Sequence, residues 1–216
     1  MSQQAILQQG ILEANLQISE ETQQKLIDYL ALMQKWNKVH NLTAVRDAEE
    51  MVTLHLLDSL VVLPHIDAKH LLDVGTGAGL PGIPLAICLP ELQVVVIDSN
   101  SKKVSFMRQV KAELGIANLE VLGGRVEEIL PTRDFEIIIS RAFSDLTLFI
   151  SLTRHLLNVK GQWLAMKGVY PEVELADLVN KTGVTASKVE VLKVPGLDAQ
   201  RHLAFLPYQP VGNTTL

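Results

Sequence analysis

Hydrophobic residues follow two rhythms along this chain. In the first third they recur at helical spacing: Leu26, Leu30, Met33 and Trp36 share one face of a helix predicted over residues 19–36. Ser19 suits its N-cap, and Glu20 and Glu21 suit the positive end of its dipole. Residues 36–47, Trp-Asn-Lys-Val-His-Asn-Leu-Thr-Ala-Val-Arg-Asp, break that rhythm and are expected to form a polar connection. Asp47 with Glu50 has capping-box spacing and opens a helix expected to run to about Leu63, where Pro64 stops it.

From His70 onward short β-branched runs alternate with helical stretches. Strands are predicted at 70–74, 93–98, 119–122, 135–140 and 161–166, and helices at 81–89, 101–115, 145–157 and 171–182, with a short helical turn at 126–130. Val94, Val95, Val96 and Ile97 stand in succession rather than alternating, the pattern of a strand covered on both faces. Strands separated by helices predict an α/β fold with a mostly parallel, doubly wound sheet. The last two strands, near 187–194 and 202–206, are joined only through Pro195–Arg201, so the last strand is expected to run antiparallel. No Pro/Ser/Gly linker separates the two rhythms. Residues 1–216 are therefore read as one domain, with a helical extension (1–66) on a Rossmann-like core (67–216).

Composition narrows the class. Of 216 residues, 48% are hydrophobic and 20% charged, ordinary values for a globular protein with one well-buried core. The N-terminus lacks the basic region and apolar run of a signal peptide, no apolar run approaches the roughly 20 residues that span a bilayer, and the lone Cys88 excludes an internal disulfide framework. A cytoplasmic protein without membrane contact is expected. A net charge of −5 argues against general nucleic-acid binding through bulk positive potential, though it leaves room for a local basic face. Six scattered histidines with no Cys partner predict no metal site. His55 and Asp58 share a helix face, where a cap or core hydrogen bond is expected.

The candidate chemistry sits in residues 70–82, His-Leu-Leu-Asp-Val-Gly-Thr-Gly-Ala-Gly-Leu-Pro-Gly: a short strand, a turn of glycines and a helix start. Such a turn lets backbone N–H groups approach a ligand. Its spacing, Gly75-x-Gly77-x-Gly79, differs from the dinucleotide fingerprint, and Asp73 would place negative charge where a pyrophosphate must sit. The next strand ends at Asp98, where a carboxylate can accept hydrogen bonds from ribose hydroxyls. Together they favour a nucleoside carrying a cationic sulfonium or amine, such as S-adenosylmethionine, over a nicotinamide cofactor.

Residues 73–84, Asp-Val-Gly-Thr-Gly-Ala-Gly-Leu-Pro-Gly-Ile-Pro, resemble the first motif of the glucose-inhibited-division protein B (RsmG) family. The likeness extends through Trp36–Asp47, His55-Leu-Leu-Asp-Ser, Arg125-Val-Glu-Glu, Ser140-Arg-Ala-Phe and Leu197-Asp-Ala-Gln-Arg-His-Leu, so it covers nearly the whole chain. Many members have Pro where Ala78 stands, and both residues are compatible with the turn. The resemblance implies a class I S-adenosylmethionine-dependent methyltransferase acting on N7 of a guanine in the 530 loop of 16S rRNA, at rRNA position 527. It also implies cofactor contacts at the positions matching Gly75, Leu80, Val126, Glu127 and Arg141, beside the Asp73, Gly77, Gly79 and Asp98 read from the turn and the next strand.

Two readings stay open at several of these positions. Glu127 is a ligand or a helix-start carboxylate; Arg141 faces the transferred methyl or ion-pairs with Asp73 or Asp98; Phe143 stacks on a base or fills the core. Ser140–Phe143 replaces the Asn/Asp-Pro-Pro-aromatic motif of many exocyclic-amine methyltransferases. Guanine N7 already presents an in-plane lone pair, so no general base is expected and Arg141 is the candidate for positioning. Lys35, Lys38, His40, Arg46, Lys167, Arg201 and His202 are candidates for a confined basic rim that contacts RNA, or ordinary solvated charges. The expected partner is 16S rRNA within a small-subunit ribosomal particle, met by a monomer. A small-molecule methyltransferase and a non-catalytic nucleoside-binding protein are the alternatives.

Overall fold

The computed structural model describes residues 1–130, 134–141, 143 and 145–210. Seven strands form one sheet: β1 (His70–Val74), β2 (Gln93–Asp98), β3 (Leu119–Gly123), β4 (Phe135–Ser140), β5 (Leu157–Lys167), β6 (Lys188–Val191) and β7 (His202–Pro207), in the order β3-β2-β1-β4-β5-β7-β6. The first five run parallel to one another. β7 is antiparallel to both β5 and β6, so the last strand slots between them instead of extending the edge. Chain order reverses on either side of β1, and the carboxyl ends of β1, β2 and β4 flank the resulting crevice.

Helices cover both faces, which is why the central strands carry continuous apolar runs. Val94–Ile97 and Ile137–Ile139 are each at most 3% exposed. The helices after β1 are α5 (Gly82–Cys88), α6 (Ser101–Leu114), α7 (Leu146–Thr153) and α8 (Glu172–Thr182). Asn100 caps α6 through hydrogen bonds from the Lys102 and Lys103 amides, and Asp145 caps α7 through the Leu148 amide. α7 ends earlier than the expected 157 because the chain tightens into a 3₁₀ turn at Arg154–Leu156 and enters β5 directly.

The helical extension departs more from the sequence pattern. An unanticipated helix, α1 (Gln3–Glu13), is capped by Ser2 and buries Leu7 and Ile11. Its Gly10 lies against Leu57, where an added Cβ would fall 2.4 Å from Cδ1. α2 (Glu20–His40) starts at the Ser19 cap as expected but runs past Trp36 to His40, ending at Asn41 in the left-handed region (φ 49°). The expected polar connection therefore shrinks to 41–47. Asp47 does cap the next helix, accepting from the Glu49 and Glu50 amides at 2.9 Å. That helix is α3 (Ala48–Met51), a π-helical stretch (Val52–Leu57) and α4 (Asp58–Leu60) in series, rather than one regular helix to Leu63. One buried apolar cluster runs from Leu7 through Leu30, Met33 and Leu60 to Ile83, Phe106 and Phe205, so extension and sheet share a core. Among the described residues, no helix is long and apolar enough to cross a membrane.

Candidate active site at the glycine turn

The turn after β1 is shaped by three glycines in left-handed backbone geometry, Gly75 (φ 65°), Gly77 (φ 65°) and Gly79 (φ 97°). At Gly79 space is also decisive, since a Cβ would lie 2.3 Å from Ile83 Cδ1. The Gly75 and Thr76 amides both donate to the Ile97 carbonyl, which pins the turn across the end of β2. The Leu80–Pro81 peptide is cis, and the helix opens at Gly82 rather than at Pro81.

Asp73 lies beneath this turn and not on its open face. It is fully buried, and its Oδ2 accepts from the Thr76 hydroxyl and from the Gly82 amide at 2.7 Å, so one oxygen binds both ends of the turn. Its Oδ1 has no hydrogen-bond partner among the described residues. Burial pushes the carboxyl up to about 6, against the opposing hydrogen bonds from Thr76 and Gly82 and the Arg141 charge.

Asp98, at the end of β2, is 8% exposed. Its Oδ2 accepts from the Gly77 amide and its Oδ1 from the Asn100 amide, both at 2.8 Å, which fixes the carboxylate's direction. It helps wall a cavity of about 280 Å³ whose other sides include Gly75, Val126, Glu127 and Phe143. An apolar slot beside a fixed carboxylate and a glycine turn fits the base, ribose and tail of a nucleoside cofactor. Val126 is buried (5% exposed), whereas Glu127 is open and has Arg125 at 3.5 Å. A roomier cleft of about 500 Å³ lies against Glu13, His65 and Lys193. It has neither the turn nor the strand ends, so volume alone does not locate the site.

A profile of the GidB family, described as rRNA small subunit methyltransferase G, matches residues 22–204. The chain belongs to the GidB family. It is 60% identical over 93% of its length, and over 96% of the relative's, to the ribosomal RNA small subunit methyltransferase G of Methylobacillus flagellatus. It is 50% identical to the protein of that name from Chromobacterium violaceum, over 95% of this chain and 98% of the relative. Among solved structures it resembles a SAM-dependent methyltransferase from Aquifex aeolicus (TM-score 0.58, 22% identity, 72% of this chain and 92% of that one). It also resembles the glycopeptide N-methyltransferase MtfA complexed with (S)-adenosyl-L-homocysteine (TM-score 0.62, 8% identity, 72% and 87%). At those identities the likeness is one of fold, and the fold is the class I methyltransferase sheet.

In this member of the GidB family the remaining expected residues are placed as follows. Gly77 and Gly79 shape the turn without walling the cavity, and the Leu80 side chain, 3% exposed, packs into the core. Arg141 pairs with neither Asp73 nor Asp98. Its Nη1 donates to Asp58 Oδ2 at 2.9 Å and to the Leu54 carbonyl at 3.1 Å. Phe143 walls the cavity and packs its ring 5.2 Å from that of Phe149, as a core residue does; Ala142, within the same motif, lies outside the described residues.

The seven basic candidates come from two stretches of structure, the end of α2 with the loop after it and the strand ends at β5 and β7. Lys35 and Lys38 are exposed on α2, His40 rests on Trp36 with ring centres 5.0 Å apart, and the exposed Arg46 donates to the Asn37 carbonyl and Asn41 Oδ1. At the carboxyl ends of β4 and β5 the second group is largely committed. Lys167 is half-buried and donates to Glu174 (2.6 Å) and the Phe143 carbonyl (2.7 Å), and His202 Nδ1 sits 2.9 Å from the Gly168 carbonyl. Those two candidates are tied internally. Arg201 donates through Nε to Asp58 Oδ1 at 2.7 Å. Asp58 is thus an ion-pair centre rather than the cap or core hydrogen bond expected of it. His55 takes the core role, with Nε2 3.0 Å from the Thr43 hydroxyl. Sequence spacing gave no signal for the Asp58 pairs, whose partners lie 83 and 143 positions away. Among the described residues no group of three or more His, Cys, Asp or Glu is placed to hold a metal.

Proposed function

We propose that this chain methylates N7 of the guanine at position 527, in the 530 loop of 16S rRNA, with S-adenosylmethionine as donor. The observation that carries the reading is the cavity at the ends of β1 and β2, walled by Gly75, Asp98, Val126 and Glu127 in a chain of the GidB family. The relatives' name, ribosomal RNA small subunit methyltransferase G, supports the choice of an RNA acceptor.

When bound, S-adenosylmethionine supplies an electrophilic methyl group on a sulfonium. Asp98, already aimed by two amides, accepts hydrogen bonds from the ribose hydroxyls. Val74 and Val126 give the adenine apolar walls, and Glu127 meets its polar edge. The glycine turn brings backbone close to the cofactor tail, with the Asp73 charge below it favouring a cation. The acceptor needs no proton removed, because guanine N7 carries an in-plane lone pair. The residues therefore contribute mainly orientation, and Arg141, beyond the end of β4, positions the RNA acceptor.

The reading includes a single domain with the helical extension (1–66) built onto the core (67–216), a monomer in the cytoplasm, and a small-subunit ribosomal particle as the form in which the rRNA is met. The test is mass spectrometry of 16S rRNA from cells lacking the protein. The 530-loop guanine is expected to lose its N7 methyl and regain it when the gene is restored. A guanine still methylated in those cells overturns the reading, and a purified protein that binds cofactor but methylates no RNA points to a nucleoside-binding role.

A further inference from the structure

Asp58 opens α4 directly after the π-helical stretch and is 2% exposed. Each of its carboxylate oxygens takes a different arginine, Oδ2 from Arg141 and Oδ1 from Arg201, so two guanidiniums are held within one carboxylate's width of each other. Arg141 follows β4 and Arg201 precedes β7, so the pair stands at the carboxyl edge of the parallel strands, beside the crevice. Second bonds fix each arginine further: Arg141 Nη1 to the Leu54 carbonyl, and Arg201 Nη1 to the Gln200 carbonyl at 2.9 Å. Nε and Nη2 of Arg141 and Nη2 of Arg201 have no hydrogen-bond partner among the described residues. The side chains keep 28% and 24% of their surface open.

Stability alone accounts poorly for this arrangement. A buried ion pair roughly breaks even against well-packed apolar residues, and here two cations share one anion, which leaves a net positive charge half out of water. His55, on the same helical segment, does not offset or add to it near neutrality, because burial and the Arg141 charge hold its pKa below the ordinary value. A fixed excess cation with unfilled, forked N–H groups suits a phosphate, whose oxygens arginine engages in bidentate fashion.

We infer that Asp58 is a positioning residue that locks Arg141 and Arg201 into a two-guanidinium fork for one RNA phosphodiester beside the target guanine. The inference rests on the methyltransferase reading above. Loose surface arginines would add affinity without register, whereas a phosphate contact held rigidly sets where the strand lies.

The test uses purified full-length protein and small-subunit particles from cells lacking it, with wild-type turnover as the control for the methyltransferase reading itself. In Asp58→Asn the fork is released while one negative charge is lost. RNA affinity at low salt is expected to hold or tighten, and the slope of log Kd against log salt to steepen by about one. kcat should fall at least tenfold with cofactor affinity unchanged. Arg201→Lys retains the charge but not the fork, and should lower kcat with an unchanged salt slope; it also serves if Asp58→Asn does not fold. Arg201→Gln should flatten the slope by about one. Variants that lose only thermal stability, with kcat and salt slope of the wild type, make Asp58 a structural tie and overturn the inference. So does a parallel loss of cofactor binding. A wild-type protein that methylates nothing instead sinks the underlying reading.

Discussion

The Tyr29 hydroxyl donates a 2.8 Å hydrogen bond to the Ala78 carbonyl, tying α2 to the middle of the glycine turn. Tyr29 is wholly buried, with its ring 6.2 Å from that of Phe106 on α6, and burial pushes its hydroxyl well above the usual phenol range, so it remains a donor. The extension thus helps set the shape of the cofactor turn. Tyr29→Phe keeps the packing and leaves the Ala78 carbonyl without its donor. Chemical denaturation should show a loss of about 1–3 kcal/mol, and calorimetry a weaker affinity for S-adenosylhomocysteine.

Gly82 is constrained by space alone. A Cβ there would fall 2.5 Å from Val96 Cγ1 and 2.9 Å from Asp73 Oδ2. Gly82→Ala should therefore push Asp73 out from under the turn, lowering stability by about 1–3 kcal/mol. Thermal unfolding reads the loss, and cofactor affinity should decline with it. An unaltered melting temperature would mean that the turn and β2 can separate at little cost.

Asp73 gives a pH dependence with a definite sign. Its pKa rises from 3.8 to about 6 on folding, chiefly through burial. A carboxyl that holds its proton more tightly when folded contributes stability that is full below its unfolded pKa and lost as pH climbs through the folded one. The window is about pH 4 to 6, and the shift corresponds to roughly 3 kcal/mol at most. In urea unfolding, wild-type stability relative to Asp73→Asn should fall across that window and level off above pH 7.

Asp98 is aimed by the Gly77 and Asn100 amides, and its proposed work is done by the carboxylate charge. Hydrogen bonds to charged groups contribute about 1.5–3 kcal/mol each, so Asp98→Asn should weaken cofactor binding by roughly ten- to a hundredfold in calorimetry. Glu127→Gln, at an open position, should have a smaller effect.

What the sequence made legible was local. The first four strand runs, the Ser19 and Asp47 caps and the glycine turn are encoded within a few residues and are found where expected, whereas β5 begins four residues before its expected start and β6 is shorter than its run. The antiparallel course of β7 followed from its short connection, but its insertion between β5 and β6 is a matter of tertiary pairing. The same limit hid the Asp58 fork and the Tyr29 tie, whose partners are joined by no periodicity or spacing. The internal ties of Lys167 and His202 were hidden too, because the Glu174 carboxylate and the Phe143 and Gly168 carbonyls are brought to them by the fold. The end of α2 was missed because Lys38 and His40 are polar yet still helical, the chain turning only at Asn41.

The interleaving of β7 has a consequence for the order in which the molecule is made. Among the described residues β6 pairs with β7 alone, and β7 is the one partner on the outer side of β5. A growing chain that has emerged only as far as Gln200 therefore carries an orphan strand, an open sheet edge, and an Asp58 holding a single arginine. The sheet and the second Asp58 ion pair are both completed by the last strand and the residue before it.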